Sequence, residues 1–444
     1  MNWTELISSK RLGTKPAVKQ SELYNRTQFQ RDYDRMIFSS PFRRMQNKTQ
    51  VFPLPGSIFV HNRLTHSLEV ASVGRSLGNI LSEKLQAAGE SNPLITELGA
   101  VVSAACLAHD MGNPPFGHAG EEAISSYFRN GKGQNLQLIL QPEEWNDFVF
   151  FDGNANAFRL LSHQFNGRRA GGFALTYTTL ASIVKYPFES LDIKKSKFGF
   201  FQSEKSIYLE IAKELNIKQL AEHPLKFARH PLVFLVEAAD DICYQLMDLE
   251  DAHKLGILSY EQTKMLFLNF YDPAADKDLL ARIENTFHEV LDHNERIAYL
   301  RAGVINKLVH QCMGVFDKNQ EAILEGSFQK SLISQIQGLS KIAMDEIEAL
   351  SIEKIYKHRS VVEIEISGHQ IIGTLLESFI EAILSPDQGY AKRLISLMPV
   401  QYRGEYQTTY EKVQSVIDFV SGMTDLYALD LFRKIKGINL PSLG

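Results

Sequence analysis

Apolar residues recur at three- and four-residue spacing along most of the chain, which predicts α-helices. Residues 65–87 place their leucines, valines and isoleucine on one broad face, and residues 94–109 are apolar nearly all round. Pro114 and Pro115 end the second of these segments, and a new helix is predicted to begin near His118. Pro231 opens another strong helix, since proline is favoured in the first turn. We therefore expect buried central helices.

The rest of the chain continues this pattern. Further helices are predicted over 155–165, 173–186, 277–318, 320–349, 369–384 and 406–437. One strand is predicted at residues 361–366, where apolar and polar residues partly alternate before Gly368. Glycines mark loops at 131–133 and 166–172, and no repeat or low-complexity linker interrupts the chain. The pattern indicates a mostly α fold with a minor β element and a helical C-terminal extension.

Composition narrows the class of protein. The 444 residues are 44% hydrophobic, which supports a sizeable core and excludes disorder along the whole chain. The longest apolar stretch, around Leu98 to Ala108, is shorter than the ~20 residues that span a bilayer, and no apolar run follows the first charged residues. The chain has three cysteines, Cys106, Cys243 and Cys312, which are too few for a disulfide framework. We therefore expect a cytoplasmic protein without membrane contact.

The charge is unevenly distributed. The whole chain carries a formal net charge of -5, but residues 1–50 hold ten Lys and Arg against four acidic residues. The segment includes Lys10, Arg11, Lys15, Lys19 and Lys48. Such a segment is either a solvated basic surface or part of a site that binds phosphate, in a nucleotide or a nucleic acid.

Histidine and aspartate fall at distinctive places on the apolar helices. His66 lies near the start of the first, His109 and Asp110 end the second, and Asp240 and Asp241 lie within the helix after Pro231. A carboxylate pair in an apolar helix is costly unless it is paired or bound to a cation. A single buried histidine is usually structural, but two imidazoles with two carboxylates suit a catalytic metal. The residues leave open whether Asp240 or Asp241 is the ligand.

Three longer segments carry a specific resemblance: His61–Val70 (HNRLTHSLEV), His109–Glu121 (HDMGNPPFGHAGE) and Glu237–Tyr244 (EAADDICY). Together with shorter segments such as Lys48–Phe52 and Gly422–Asp425, they resemble the deoxyguanosine triphosphate triphosphohydrolase (dGTPase-like) family of the HD-domain phosphohydrolase superfamily. The resemblance runs from about residue 27 to near the C-terminus. It implies a basic N-terminal segment (1–60), an HD helical core (61–260) and a helical extension (261–444) in one continuous domain.

The resemblance implies a metal site and an acid–base pair. His66, His109, Asp110 and Asp240 would bind one divalent metal, Mn²⁺ or Mg²⁺, with other transition metals left open. His118 and Glu121 lie three residues apart, so at a helix start they share a face. In the family this pair supplies the catalytic acid or activates the nucleophile. The structural alternative is a histidine at a helix N-terminus beside a surface glutamate pair.

The resemblance also implies substrate contacts. Tyr244 and Asp248 follow Asp240 at four and eight residues, one stripe of a helix, and would line the deoxyribose. Gln50 would lie near the sugar and base, and Arg63 would bind phosphate. The remaining candidates match positions that contact the triphosphate: Asn154, Lys185 and Tyr186, with Lys197 as a further candidate.

The activity implied by the resemblance is hydrolysis of a deoxynucleoside triphosphate, with dGTP favoured, to deoxynucleoside and inorganic tripolyphosphate. The family forms homo-oligomers, tetramers or hexamers, some with allosteric dNTP or single-stranded DNA sites. Two alternatives stay open at this point. One is another HD phosphohydrolase, a 5′-nucleotidase or cyclic-nucleotide phosphodiesterase. The other is a regulator that binds dNTPs or nucleic acid without turnover.

Overall fold

A computed structural model describes residues 1–14, 26–52, 60–191 and 197–438, and these residues form twenty α-helices and two short strands. The first helices are α1 (Trp3–Leu6), α2 (Gln28–Ile37), α3 (Ser40–Arg44), α4 (Arg63–Ala87), α5 (Leu98–Ala108), α6 (His118–Arg129), α7 (Pro142–Val149), α8 (Gly153–Ser162), α9 (Tyr177–Ile183), α10 (Lys205–Glu214) and α11 (Pro231–Lys254). The others are α12 (Tyr260–Leu268), α13 (Lys277–Glu289), α14 (His293–Lys318), α15 (Gln320–Glu325), α16 (Leu339–Leu350), α17 (Arg359–Leu384), α18 (Gly389–Leu397), α19 (Thr409–Ser421) and α20 (Asp425–Ile435).

Shorter elements connect these helices. The strands β1 (Gln219–Ala221) and β2 (Lys226–Phe227) pair antiparallel. A π-helix spans Ser351–Ile355, and 3₁₀ helices span Met45–Asn47, Pro93–Glu97, Lys132–Leu138, Gln202–Glu204, Ile333–Gln335 and Val400–Tyr402. The predicted fold class, mostly α with a minor β element, is confirmed.

Helices α4, α5 and α11 form the centre of the molecule, with α5 packed on α4 and both in contact with α11. α5 is apolar on all sides because it is buried on all sides. A Cβ added to Gly78 of α4 would lie 2.7 Å from the carbonyl oxygen of Leu98, so the two backbones approach closely there. These three helices bring together the segments that carry His66, His109 and Asp240.

The starts of the central helices follow from local sequence. Asn62 caps α4, because its side chain accepts the N–H of Thr65 while the Thr65 hydroxyl bonds the Asn62 N–H. α11 begins at Pro231 as predicted, behind His230, whose side chain accepts the N–H of Leu232. The predicted helix start at His118 is also confirmed.

The predicted strand at residues 361–366 is wrong, because these residues form the first turns of α17. Val361, Gly368 and Ile372 are buried and Ile364 is partly buried, which is helical spacing, whereas Ile366 is 68% exposed. The six residues alone fit both the two-residue period of a strand and the 3.6-residue period of a helix. The longer apolar series through Ile372 fits only the helical period.

Three long predicted helices are interrupted. The segment 277–318 divides into α13 and α14, where Asp292 caps the second helix. The segment 320–349 divides after α15, which ends at Gly326 in the left-handed conformation (φ 77°). The segment 406–437 divides where Thr424 caps α20. Polar capping residues at Asp292 and Thr424 and a left-handed glycine at Gly326 therefore divide these periodic segments.

A second hydrophobic cluster joins α6, α7 and α8 to α17–α20. Phe128 on α6 stacks on Phe148 on α7 at 4.9 Å between ring centroids, and Phe148 stacks on Tyr410 on α19 at 5.1 Å. Residues before and after 260 therefore share one core. The division of the chain at residues 60 and 260 stays a prediction.

Some of the basic N-terminal residues have internal roles. Arg11 is buried and donates to Asp32 at 2.6 Å, and buried Lys48 donates to the carbonyl oxygens of Asn113 (2.5 Å) and Ser421 (2.9 Å). Lys15 and Lys19 lie outside the described residues. Among the helices described, none is both long enough and apolar enough to cross a membrane.

Candidate active site

The central helices and the C-terminal helices together enclose a cavity of about 540 Å³. Its walls come from the residues after Lys48, the starts of α4, α6 and α8, the middle of α11, and the first turns of α17. The lining includes most residues predicted from the sequence: Gln50, Arg63, His109, Asp110, His118, Glu121, Asn154, Lys185, Tyr186, Lys197, Asp240 and Tyr244.

Two imidazoles and one carboxylate converge at the cavity floor. Nε2 of His66 lies 3.0 Å and Nε2 of His109 lies 3.4 Å from Oδ1 of Asp240. One ligand atom from each residue lies within 4.8 Å of the others. Burial would raise the pKa of Asp240, but the two histidines outweigh burial and hold it well below its usual value. Asp241 lies next to Asp240 on the cavity wall and is not part of this group.

These residues fit a divalent metal. Nδ1 of His109 lies 2.6 Å from the carbonyl oxygen of Cys106, which can only accept, so Nδ1 carries the proton. Nε2 then faces the carboxylates of Asp240 at 3.4 Å and Asp110 at 3.6 Å, and it makes no hydrogen bond of good geometry among the described residues. His66, His109 and Asp240 are the residues that could hold the ion.

Asp110 lies beside this group and contacts a cation. Its Oδ1 is 3.6 Å from Nε2 of His109, and its Oδ2 accepts from Arg63 at 2.8 Å. Burial would raise the pKa of Asp110, but Arg63 and the two histidines lower it. Asp110 therefore presents an ionised oxygen toward the group, and its assignment as the fourth ligand stays a prediction.

His118 and Glu121 form the predicted pair at the start of α6. Nδ1 of His118 lies 2.9 Å from Oε2 of Glu121, while Oε1 of Glu121 accepts the N–H of Gly153 at 2.7 Å. The glutamate is buried, whereas 87% of the His118 side chain is exposed in the cavity. The hydrogen bond to Glu121 raises the pKa of His118. The pair thus presents to the cavity a histidine whose protonated form is stabilised by Glu121.

Two lysines face the cavity beside carboxylates. Lys185 lies 3.2 Å from Glu237, and Lys197 lies 3.3 Å from Asp152 and 3.9 Å from Glu121. Asp152 also caps α8 by accepting the N–H of Asn154. Carboxylates therefore hold both ammonium groups at the cavity wall.

Asp240, Tyr244 and Asp248, the stripe predicted to bind the sugar, lie on α11, and only part of this stripe faces the cavity. Tyr244 lines the cavity, while buried Asp248 lies behind the wall and accepts from the Tyr356 hydroxyl at 2.8 Å. The rings of Tyr244 and Tyr356 stack at 6.0 Å between centroids. Burial raises the pKa of Asp248 to about 8.

Sequence reasoning missed Tyr356. It follows the π-helix Ser351–Ile355, a distortion that is frequent at functional sites, and it reaches Asp248 from 108 residues away. No local spacing signals such a contact, so the sequence alone offered no route to it.

Several polar atoms of the lining residues lack partners. Oε1 of Gln50, Nε of Arg63 and Nε2 of His109 are buried with no hydrogen-bond partner among the described residues. Buried polar groups in folded proteins are nearly always hydrogen-bonded, so these three atoms are available to a ligand in the cavity.

Comparison with known proteins defines the family. The HD domain model matches residues 63–240, and the phosphohydrolase-associated domain model matches residues 339–434. Proteins from Synechocystis sp. and Pseudomonas aeruginosa, each named deoxyguanosinetriphosphate triphosphohydrolase-like protein, are 37% and 38% identical to this chain. The alignments cover 99% and 100% of this chain and 100% of each relative. The chain belongs to the deoxyguanosinetriphosphate triphosphohydrolase-like family.

Within this family, more distant relatives also align over nearly the full chain. A Yersinia pestis protein named deoxyguanosinetriphosphate triphosphohydrolase is 28% identical over 98% of this chain and 99% of its own length. The family resemblance inferred from the sequence is confirmed, and the chain is an HD-domain phosphohydrolase. The three residues of the candidate metal group lie within the HD match, and the first turns of α17 lie within the associated-domain match.

Proposed function

We propose that this protein hydrolyses deoxynucleoside triphosphates, with dGTP favoured, to deoxynucleoside and inorganic tripolyphosphate. The observation that carries the proposal is the convergence of three features on one cavity. These are the His66–His109–Asp240 group, the His118–Glu121 pair, and the aromatic wall of Tyr244 and Tyr356.

The cavity suits a polyanion. Tripolyphosphate carries about four negative charges, and Arg63, Lys185 and Lys197 provide cationic groups along the wall. The first residues of α6 also line the cavity, so its unpaired backbone N–H groups and positive helix end favour an anion there. We assign the triphosphate to this side, with Asn154 and Tyr186 nearby.

The His118–Glu121 pair suits a proton donor. Cleavage between the 5′ oxygen and the α-phosphorus leaves an alkoxide, which needs a proton. His118 is exposed to the cavity, and the hydrogen bond between its Nδ1 and Glu121 stabilises the protonated imidazole. We assign His118 as the acid and Glu121 as the residue that orients and charges it.

The aromatic wall suits a deoxyribose. A tyrosine packed under C2′ leaves no room for a ribose 2′ hydroxyl, so Tyr244 would select deoxynucleotides. Asp248 would accept a hydrogen bond from the 3′ hydroxyl. Gln50, whose side-chain oxygen is buried and unpaired among the described residues, would contact the sugar or base. Preference for guanine is part of the proposal and depends on the shape of this end of the cavity.

When bound, a divalent metal supplies charge neutralisation at the α-phosphate and a water of lowered pKa. We propose Mn²⁺ or Mg²⁺; the imidazole nitrogens favour Mn²⁺. We also propose assembly as a tetramer or hexamer through the helices after residue 260, with dNTP or single-stranded DNA as allosteric effectors.

A product assay tests the proposal. Protein stripped of metal and reloaded with Mn²⁺ or Mg²⁺ is incubated with each of the four dNTPs, alone and in pairs. We expect deoxynucleoside and tripolyphosphate, and pairs would reveal activation of one hydrolysis by a second nucleotide. Monophosphate or pyrophosphate products would instead support another HD phosphohydrolase. Tight dNTP binding without deoxynucleoside release would support a regulator.

His118→Ala tests the acid. It should keep metal and substrate binding but reduce turnover by about 10²- to 10⁴-fold, the usual contribution of an acid–base group. His310→Ala, which changes an exposed histidine on α14, is the matched control. A His118→Ala variant as fast as this control would remove His118 from the mechanism.

A further inference from the structure

The turn that presents His118 has an unusual backbone. Phe116 and Gly117, the two residues before His118, have positive φ angles of 64° and 58°. Glycine adopts such angles freely, but a residue with a Cβ, such as phenylalanine, rarely does. Strained backbone of this kind persists only where its surroundings hold it, and it concentrates at functional sites. Something must therefore hold Phe116.

Asp425, the first residue of α20, contacts this turn from the C-terminal region. Its Oδ1 accepts the backbone N–H of Phe116 at 3.0 Å, and its Oδ2 accepts the backbone N–H of Thr49 at 2.8 Å. Only 7% of Asp425 is exposed. One buried carboxylate thus bonds the residue two before His118 and the residue directly before Gln50.

Helix α17 supports the same turn from another side. A Cβ added to Gly368 would lie 2.6 Å from both Cβ and Cγ of Phe116, so only glycine leaves room for this ring. Val361 and Ile364 of the same helix line the cavity. The region matched by the phosphohydrolase-associated domain therefore forms part of the cavity wall and packs on the turn that carries His118.

We propose that Asp425 is a positioning residue, which fixes the strained His118 turn and the backbone beside Gln50 in the arrangement needed for catalysis. The inference rests on the proposed function for its kinetic readout. The hydrogen bond from Thr49 is buried and that from Phe116 is partly buried, so each N–H needs an acceptor, and a carboxylate offers two. An asparagine offers one oxygen, and its NH₂ would face the second N–H donor to donor.

Asp425→Asn is the primary test because it preserves size. A displacement of catalytic groups of about 1 Å reduces rates by about 100-fold, so we expect kcat to fall about 10- to 100-fold. KM should rise, because Gln50 also shifts, while bound metal per chain stays unchanged. Asp430→Asn is the matched control, since Asp430 lies on the same helix and pairs with Lys434 at the surface.

A second substitution separates positioning from general stability. Phe116→Gly removes the strain, because glycine tolerates the positive φ angle. In the Phe116→Gly variant, the reduction in kcat caused by Asp425→Asn should be severalfold smaller than the reduction it causes in the original chain. The proposal would be overturned by an equal reduction in kcat with and without Phe116→Gly. It would also be overturned if Asp425→Asn had the same kcat and KM as Asp430→Asn. If Asp425→Asn does not fold, Asp425→Glu, which keeps both acceptors, takes its place in the same cycle.

A readout without turnover distinguishes this inference from the proposed function. Hydrogen exchange measured on peptides containing the amides of Thr49 and Phe116 should speed up in Asp425→Asn and not in Asp430→Asn. Unchanged exchange would contradict the positioning role. A wild-type protein that hydrolyses no dNTP would contradict the proposed function, while faster exchange would still support the contact as the restraint on the turn.

Discussion

Replacing Glu121 by glutamine isolates the effect of its charge on His118. The side chain keeps its size, and its remaining oxygen can still accept the N–H of Gly153, now 2.7 Å from Oε1. The amide NH₂ then faces Nδ1 of His118, where Oε2 lies at 2.9 Å in the wild-type chain. Nδ1 must become an acceptor, so His118 can no longer hold two protons in this arrangement.

The expected size of the effect follows from this geometry. A hydrogen bond to a charged group contributes about 1.5–3 kcal/mol, so its loss lowers the pKa of His118 and reduces the protonated acid by up to about 10- to 150-fold at a pH above that pKa. Because 87% of the His118 side chain is exposed, solvent screening favours the lower end of that range. We therefore expect the pKa of His118 to fall and kcat, measured at a pH above that pKa, to fall about tenfold, with a smaller loss at neutral pH.

The assay is kcat measured against pH. Glu121 raises the pKa of His118, so removing its charge should move the loss of activity that accompanies deprotonation to lower pH. The deficit should be small in acid and grow as pH rises. Glu122→Gln is the control, since the neighbouring glutamate is exposed and pairs with Arg129. A uniform loss at all pH values, or a profile unchanged from wild type, would refute the reasoning.

Three further outcomes are expected. Asp110→Ala should abolish metal binding and activity, measured by elemental analysis and the product assay; full activity at controlled metal concentration would contradict its assignment as a ligand. Tyr356→Phe removes the hydrogen bond to Asp248, which contributes about 0.5–1.5 kcal/mol. KM for a dNTP should therefore rise about 2- to 12-fold, with a smaller effect on kcat. An unchanged KM would exclude Tyr356 from the proposed sugar site. Burial raises the pKa of Asp147 from 3.8 to about 7. The protonated side chain therefore stabilises the folded state fully below about pH 4, and this stabilisation is lost as the pH rises to about 7. Asp147→Asn should flatten that part of the pH dependence in urea unfolding, and an identical slope would show that other groups cause it.

The sequence was sufficient to predict the central helices, and three of the metal ligands it predicts, His66, His109 and Asp240, lie close together in the structure. Residues 65–87 and the helix after Pro231 are long and strongly periodic, so their polar residues stood out against an apolar background. Asp240 was preferred to Asp241 from the family resemblance, and Asp240 is the carboxylate that lies beside the two imidazoles.

Features that depend on distant contacts escaped prediction. The pattern of residues 361–366 predicts a strand because six residues cannot distinguish the two periods. The longer apolar series through Ile372, whose helix packs against α6 and α19, decides for the helix. Tyr356 reaches the site through a π-helix and a contact with Asp248 that no spacing encodes. The motif containing Asp425 was recognised, but its contact with the Phe116 turn required three dimensions.

The stacked rings of Phe128, Phe148 and Tyr410 have an evolutionary consequence. The three residues come from α6, α7 and α19, and the second and third are far apart in the chain but in direct contact. A substitution that changes ring size at Phe148 leaves a gap or a clash that a change at Tyr410 can repair. Among homologues these two positions should therefore vary as a pair, and chimaeras that join an HD region to an associated region from a different relative should lose stability at this contact first.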